Sequence, residues 1–196
     1  MKKILLMACL VITACITNSN AQSFSKGNNL VKIGYGAPTI TGSIFNTYES
    51  YEGFEVKNFG PLYIKYEHAL TDKIGLGLNI AYTKNEVSYV EKINGADYKA
   101  GIERTSLSAL ARINFHFATS EKFDAFFGPG IGYRTADWKF TSEAPEGSSN
   151  TSIPTFFPFG LDFTIGANYY FTDNIGLYAE AGIAKSPIQF GIVGKF

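Results

Sequence analysis

From Asn29 to the last residue, bulky apolar side chains alternate with small or polar ones at a period of two. In the clearest segment, residues 74–83, one set is Ile, Leu, Leu, Ile and Tyr, and the other is Gly, Gly, Asn, Ala and Thr. Because successive side chains of a strand point to opposite faces, this pattern predicts β-strands with one apolar face. We identify eight such segments. After residue 21 no apolar run approaches the ~18 residues that a membrane-spanning helix needs.

The connections between these segments alternate in length. The short ones span residues 71–73, 118–122 and 172–174, and the longer, more polar ones span residues 38–58, 84–104 and 137–155. Short turns at one rim and long loops at the other are typical of outer-membrane barrels.

The composition of the two strand faces predicts which one meets lipid. One face is bulky and aromatic on every strand and carries no charge, as lipid requires, since Lys or Arg at the bilayer midplane costs about 2–4 kcal/mol. The other face is rich in glycine and small residues with isolated charges, which suits a narrow interior better than a solvated exterior. The sequence therefore predicts an all-β fold, an eight-stranded antiparallel up-and-down transmembrane β-barrel, rather than a soluble barrel with its apolar face inside.

The inward face of this barrel carries ionisable residues, and glycines beside them leave room for large charged side chains. Turn lengths predict Gly77 opposite both Glu67 and Arg112, Gly128 also opposite Arg112, Asp124 opposite His116, and Gly166 and Gly191 flanking Glu180. Because an unpaired charge in the interior is costly, we expect these groups to pair across the lumen. We predict that these groups fill the lumen as one polar and charged network. It comprises Lys32, Lys65, Glu67, Arg112, His116, Asp124, Arg134, Asp162, Glu180 and Lys195.

The N-terminus has the features of an export signal. Lys2 and Lys3 precede a short apolar core, and small residues end at Ala21, which predicts cleavage before Gln22. Residues 1–21 are then a signal peptide and residues 22–196 the barrel domain. The segment that ends at Cys15 also resembles a lipobox, so lipidation of Cys15 stays an alternative. Cleavage after Ala21 removes both cysteines and excludes disulfides and thiolate chemistry from the mature chain.

Charge and motifs argue against several function classes. The 17 basic residues equal the 17 acidic ones, so there is no electrostatic case for binding nucleic acid. The two histidines are His68 and His116, and the predicted pairing of His116 with Asp124 offers no adjacent nucleophile. The sequence has no glycine-rich phosphate loop and no metal-ligand spacing. We therefore expect neither catalysis nor a cofactor nor a bound metal.

Two long loops are candidate contact surfaces. The 84–104 segment keeps its alternation around Asn94-Gly95, a dipeptide typical of tight hairpin turns, so it could project beyond the membrane and offer an edge for strand addition. In the first long loop an acidic and aromatic cluster could contact a partner or divalent cations, although a solvated loop facing lipopolysaccharide is the simpler interpretation. That cluster consists of Tyr48, Glu49, Tyr51, Glu52, Phe54 and Glu55.

The last nine residues, 188–196, end in an aromatic residue and place apolar residues at Phe190, Ile192 and Phe196. This strand resembles the C-terminal assembly signal of the small outer-membrane barrels of the OmpA/OmpX/OmpW-like "porin family", with Gly194 as a modest departure. The resemblance implies integral insertion in the outer membrane of a Gram-negative cell, and contact with lipid and lipopolysaccharide. It also implies help from the barrel-assembly machinery and no cofactor. We expect a structural or cell-surface role, in which the loops could contact an extracellular partner. The alternative is passive transport through a narrow pore or an OmpW-like conduit for small hydrophobic molecules.

Overall fold

A computed structural model describes residues 22–37, 39–47, 53–144 and 151–196. The predicted signal peptide and Cys15 lie outside these residues. Within them the strands are β1 (Asn29–Gly36), β2 (Glu55–Ala69), β3 (Ile74–Ile93), β4 (Ala96–Thr119), β5 (Phe123–Arg134), β6 (Asp137–Ser142), β7 (Thr151–Ile153), β8 (Phe159–Tyr170), β9 (Ile175–Ile183) and β10 (Ile188–Lys195). One short helix, α1 (Ile40–Asn46), follows β1. No described helix combines the length and the apolar character needed to span a bilayer.

Eight of these strands close into an antiparallel ring, as the sequence predicts. Around the ring the order is β1, β2, β3, β4, β5, β8, β9 and β10, and β10 pairs with β1 from Leu30 to Gly36. Because the ring is closed, its wall leaves no unpaired sheet edge within the membrane. Strands β6 and β7 were not predicted; they continue the sheet from β4 outside the ring.

The orientation of the two strand faces also agrees with the prediction. Ile64 and Ile192 on the outer face are 51% and 59% exposed, whereas Lys32 and Lys65 on the inner face are 2% and 6% exposed. Exposed apolar side chains on every strand of the ring form the surface that lipid would cover.

The predicted strand register is right for three of the six residue pairs that the turn lengths predict. Gly77 lies opposite Glu67 and Arg112, and Gly166 lies opposite Glu180, as the turn lengths predict. The other three predicted pairs are wrong. Arg112 lies opposite Gly130 instead of Gly128, His116 opposite Phe126 instead of Asp124, and Glu180 opposite Gln189 instead of Gly191.

Local irregularities cause these errors. Strand β4 carries an irregularity between His116 and Ala118, and the turn that follows is closed by a hydrogen bond from the Ser120 amide to the Phe123 carbonyl. The predicted five-residue turn is therefore shorter and displaced along the chain. Between β9 and β10 the Gly182 amide donates to the Pro187 carbonyl, which fixes a different register there.

Strands β3 and β4 form one long hairpin. Their ladder runs without a break from Ile74 opposite Phe115 to Ile93 opposite Ala96. At the tip, Asn94 and Gly95 have φ angles of 53° and 81°, the left-handed conformation that a type I′ turn requires. This confirms the predicted hairpin, and most of the 84–104 segment is strand.

Candidate functional site

The centre of the lumen is built around a buried carboxylate, Glu180 of β9. Its Oε2 lies 2.9 Å from Arg112 Nη1 of β4, and its Oε1 lies 2.7 Å from Lys65 Nζ of β2. Thr164 of β8 donates to Glu180 Oε2 and accepts from Arg112 Nη2, at 2.8 and 2.7 Å. Arg112 Nε is 3.8 Å from Asp162. Side chains from four strands, β2, β4, β8 and β9, thus contact one another across the axis of the barrel.

Nearer the short turns, His116 lies between two carboxylates. Its Nδ1 is 2.7 Å from Asp124 Oδ1 and its Nε2 is 2.8 Å from Glu67 Oε1, while Lys32 Nζ is 3.7 Å from Glu67 Oε2. The Phe24 ring stacks on the imidazole with a centroid distance of 3.4 Å. Asp124 therefore meets His116 through side chains, even though the two residues are not opposite each other in the ladder.

The charges of this network balance if His116 is an imidazolium. Four carboxylates, Glu67, Asp124, Asp162 and Glu180, face Lys32, Lys65, Arg112 and His116. A neutral imidazole has one N–H and could donate to one carboxylate, whereas an imidazolium donates to both. Since both ring nitrogens are occupied by carboxylates, neither is free to take a proton from a nucleophile.

Two predicted members do not join this network. Arg134 lies at the loop end of β5 and donates to the Leu161 carbonyl at 3.0 Å. Lys195 lies at the turn end of β10 and donates to the Gln22 carbonyl at 2.9 Å. Within the described part of the chain neither cation is within 4 Å of a carboxylate.

Neutral side chains that the prediction left out complete the lumen. Gln189 accepts from Lys65 Nζ at 2.7 Å, Asn79 donates to Asp162 at 2.9 Å and Asn168 donates to Asp124 at 2.7 Å. All three occupy inward positions of the alternating pattern, which is the signal that could have identified them. A cavity of about 10 Å³ lies between Lys32, Lys65, Glu67, Arg112 and Glu180, with room for about one water molecule.

The segment that precedes β1 closes the turn end of the lumen. Ser23 and Phe24 are fully buried; Ser23 Oγ donates to the Phe123 carbonyl at 2.8 Å, and the Lys26 amide donates to Asp72 at 2.9 Å. Phe24 was not predicted as a lumen residue, since it lies outside any periodic segment. Residues 22–28 thus form a plug under the network, with Phe24 against His116.

At the loop end, the extensions of β2, β3 and β4 continue through β6 and β7 as one sheet. A groove of about 710 Å³ crosses this sheet and is lined by both charged and apolar side chains.

Phe54 and Glu55 are the members of the predicted acidic and aromatic cluster that lie in the described residues. Phe54 stacks on Tyr89 at a centroid distance of 5.4 Å. Glu55 pairs with Lys57 at 2.8 Å on the exposed surface, and this contact holds the pKa of Glu55 below its usual value. The other predicted contact residues, Tyr48, Glu49, Tyr51 and Glu52, lie outside the described residues.

The predicted assembly residues lie at the end of the ring. Phe190 and Ile192 are 52% and 59% exposed on the outer face of β10. The Phe196 amide donates to the Asn29 carbonyl at 3.0 Å, next to the β1–β10 seam that closes the barrel. In the described parts of the chain no three His, Cys, Asp or Glu side chains are grouped so that they could hold a metal ion.

The family model described as "Outer membrane protein beta-barrel domain" matches residues 7–189. The chain belongs to this family. It is accordingly an outer-membrane protein, and the ring of eight strands described above is its membrane-spanning part. A search of curated protein sequences found no match.

Solved structures of small outer-membrane barrels are similar to this family member. The attachment invasion locus protein Ail of Yersinia pestis, in complex with the heparin analogue sucrose octasulfate, is 16% identical with a TM-score of 0.47 and covers 87% of this chain and 99% of its own. The N-terminal barrel domain of OprF from Pseudomonas aeruginosa is 13% identical, covers 88% and 99%, and has a TM-score of 0.42. OprG from the same organism is 12% identical, covers 88% and 97%, and has a TM-score of 0.45.

Proposed function

We propose that this outer-membrane barrel does not conduct, and that it has a structural or interaction role in which it holds a rigid β-sheet beyond the membrane. The observation that carries the proposal is the filled lumen. Glu180 is bound from two sides by Arg112 and Lys65, at 2.9 and 2.7 Å, and the cavity beside them accommodates about one water molecule. A hydrated ion would have to break these buried ion pairs to pass.

The same contacts argue against an enzyme. The histidine that could act as a general base, His116, already contacts Glu67 and Asp124 through its two ring nitrogens, and Phe24 covers one face of the ring. A general base needs a free nitrogen within hydrogen-bond reach of the proton that it removes. We therefore assign the lumen a structural task.

The protruding sheet is the part that could meet a partner. From Lys84 to Ile93, β3 pairs with β2 or β4 above the lipid-facing band, a length of roughly 33 Å of strand at about 3.3 Å per residue. The short strand β7 forms one open edge of the sheet, and its three residues are exposed. An open edge can accept an extended segment of another protein by main-chain hydrogen bonds.

Conductance tests the first half of the proposal. The refolded protein should give no ion conductance in a planar lipid bilayer. The variant Glu180→Ala should conduct more than the parent, because it removes the carboxylate that two cations share and widens the lumen. Steady conductance by the parent protein would favour the alternative, a narrow passive pore.

Labelling on intact cells tests the second half. Lys92 lies near the hairpin tip and Lys73 lies in the short turn at the opposite rim, and both side chains are exposed. A membrane-impermeant maleimide should label the Lys92→Cys variant and leave the matched Lys73→Cys variant unlabelled until the cells are opened. The reverse pattern would contradict the proposed surface position of the sheet.

A deletion tests whether the hairpin is needed for the fold. Removing residues 86–99 would join Asn85 to Ala100 and leave a four-residue loop inside the Asn85–Arg104 pair. We expect assembly to survive, seen as the usual difference in gel mobility between unheated and heated samples, while any adhesion that the full-length protein confers on expressing cells should fall. Unchanged adhesion would exclude the hairpin as the contact surface.

A further inference from the structure

Three cations flank one residue, Ser106 of β4, at the loop end of the lumen. Lys185, from the β9–β10 connection, places its Nζ 2.9 Å from both the carbonyl and the hydroxyl oxygen of Ser106 and 3.2 Å from the Ala81 carbonyl. Arg104 precedes Ser106 by two residues and so shares its inward face of β4. Arg134 lies opposite Ser108, the next inward residue of the same strand.

These cations differ from those deeper in the lumen, because carboxylates do not balance them. In the described ranges none of the three lies within 4 Å of a carboxylate, whereas Lys32, Lys65 and Arg112 each do. Arg134 donates through Nη2 to a wall carbonyl, and its buried Nε has no partner. The Arg104 guanidinium lies 5.5 Å over the Trp138 ring. Positive charges in such partly dry surroundings are costly until a counter-charge joins them.

Burial and the two neighbouring arginines act on Lys185 in the same direction. Burial, together with Arg134 and Arg104, lowers the pKa of Lys185 to about 7. Tyr63 of β2 also faces this connection, and its hydroxyl accepts from the Ser186 amide at 3.0 Å. All three cations are only half-buried, so solvent and solutes can reach them from the loop end.

We propose that Arg104, Arg134 and Lys185 form a binding site for an oxyanion group, a phosphate or sulfate, at the extracellular mouth of the barrel. The Arg134 Nε–H, which has no partner, can donate a charge-assisted hydrogen bond to a tetrahedral oxyanion. Lys185, whose three N–H groups already donate to Ser106 and Ala81, contributes its positive charge. The site is independent of whether the lumen conducts. The group could belong to a free anion or to a phosphate of lipopolysaccharide, and both present the same oxygens.

The test measures stabilisation of the refolded protein in detergent by sodium sulfate, with sodium chloride at matched ionic strength as the reference. We expect sulfate to bind the parent protein, and Lys185→Gln and Arg134→Gln to weaken binding at least tenfold. The variant Arg134→Lys, which keeps the charge, should retain part of the affinity. Lys73→Gln, at the opposite rim, is the matched control and should bind like the parent. Gel mobility before heating shows that each variant is folded.

The pH dependence and the source of the anion give two further readouts. Sulfate does not titrate between pH 6 and 8. The parent should therefore bind sulfate about tenfold more weakly at pH 8 than at pH 6, because Lys185 loses its proton, and Lys185→Gln should lose this dependence.

The source of the anion is a separate readout. Binding of free sulfate and phosphate would assign a soluble ligand. Binding only to vesicles that carry lipopolysaccharide with its phosphates intact, and not dephosphorylated, would assign the headgroup. The proposal would be overturned if sulfate and chloride stabilised the protein equally and phosphorylated lipopolysaccharide were not preferred. It would also be overturned if Lys185→Gln and Lys73→Gln lost the same amount of sulfate affinity.

Discussion

Arg112 Nη1 lies 2.9 Å from Glu180 Oε2, although the two residues are 68 positions apart in the chain and stand on opposite parts of the barrel wall. The ion pair therefore spans the lumen rather than following a strand. It links β4 to β9, two strands that share no ladder, and fills the space that a channel would need.

Removing one partner of this pair should destabilise the barrel strongly. Arg112→Met leaves Glu180 and Asp162 with fewer positive neighbours, and breaking a buried pair in this way typically costs about 3–5 kcal/mol. The free energy of unfolding can be measured by urea titration in detergent with circular dichroism as the signal. A double-mutant cycle with Glu180→Gln isolates the coupling between the two side chains. Additive losses in the double variant would show that the contact at 2.9 Å contributes nothing specific.

The plug should contribute to stability through Phe24. Phe24→Ala removes a fully buried ring that stacks on His116, so we expect a loss of about 3 kcal/mol in the free energy of unfolding. Phe156→Ala is the matched control, because the Phe156 side chain is 98% exposed and its truncation should cost less than about 0.5 kcal/mol. Equal effects of the two substitutions would show that residues 22–28 do not pack against the lumen.

Replacing Gly130, which lies beside the lumen network, with a larger residue should destabilise the barrel. A methyl group at Gly130 would collide with Asp162 Oδ1 and lie 2.8 Å from Arg112 Cγ, so Gly130→Ala should cost about 1–3 kcal/mol through overpacking. At Gly194 the nearest atom to such a methyl group is the Val31 carbonyl oxygen at 3.9 Å. Gly194→Ala should therefore be close to neutral in the same unfolding measurement. A neutral Gly130→Ala would mean that the ionic side chains can move aside freely.

The free energy of unfolding should depend on pH between about pH 7 and pH 10 because of Lys185. Its pKa in the folded protein is about 7, whereas an unfolded lysine has a pKa of about 10.4. Between these values the unfolded chain binds a proton that the folded chain has released, so the stability of the anion-free parent rises from pH 7 to pH 10 relative to Lys185→Met. Below pH 7 both states are protonated and the difference is constant. Parallel curves for the two proteins across pH 7–10 would contradict this.

Much of the fold could be predicted because its cause is local. Alternation in a segment such as residues 74–83 depends on neighbouring residues alone, and the lack of charge on one face decides which side meets lipid. Register could be predicted across the tight turns, as for Glu67 opposite Gly77. It could not be predicted across the irregularity near Ala118, since one additional residue in a strand leaves no trace in the alternation of the other strands.

The lumen residues could be predicted one by one, but their partners could not. The pattern assigns Arg112, Glu180 and Lys65 to the inner face, yet which carboxylate meets which cation depends on distances across the axis. Arg134 and Lys195 have the same inward phase but lie near the rims, so they make other contacts. Phe24 has no periodic signal at all, because it precedes the first strand.

The sequence alone determined that the chain forms a closed barrel with apolar side chains outward and ionic ones inward, since both properties follow from side-chain alternation along single strands. Only the tertiary structure decided which cation meets which carboxylate in the lumen, that Phe24 covers His116, and that Arg104 and Arg134 lie near enough to Lys185 to affect its charge. These contacts join residues that are far apart in the chain. They depend on the curvature of the closed ring and on the heights of side chains along its axis, and neither is encoded in any one segment.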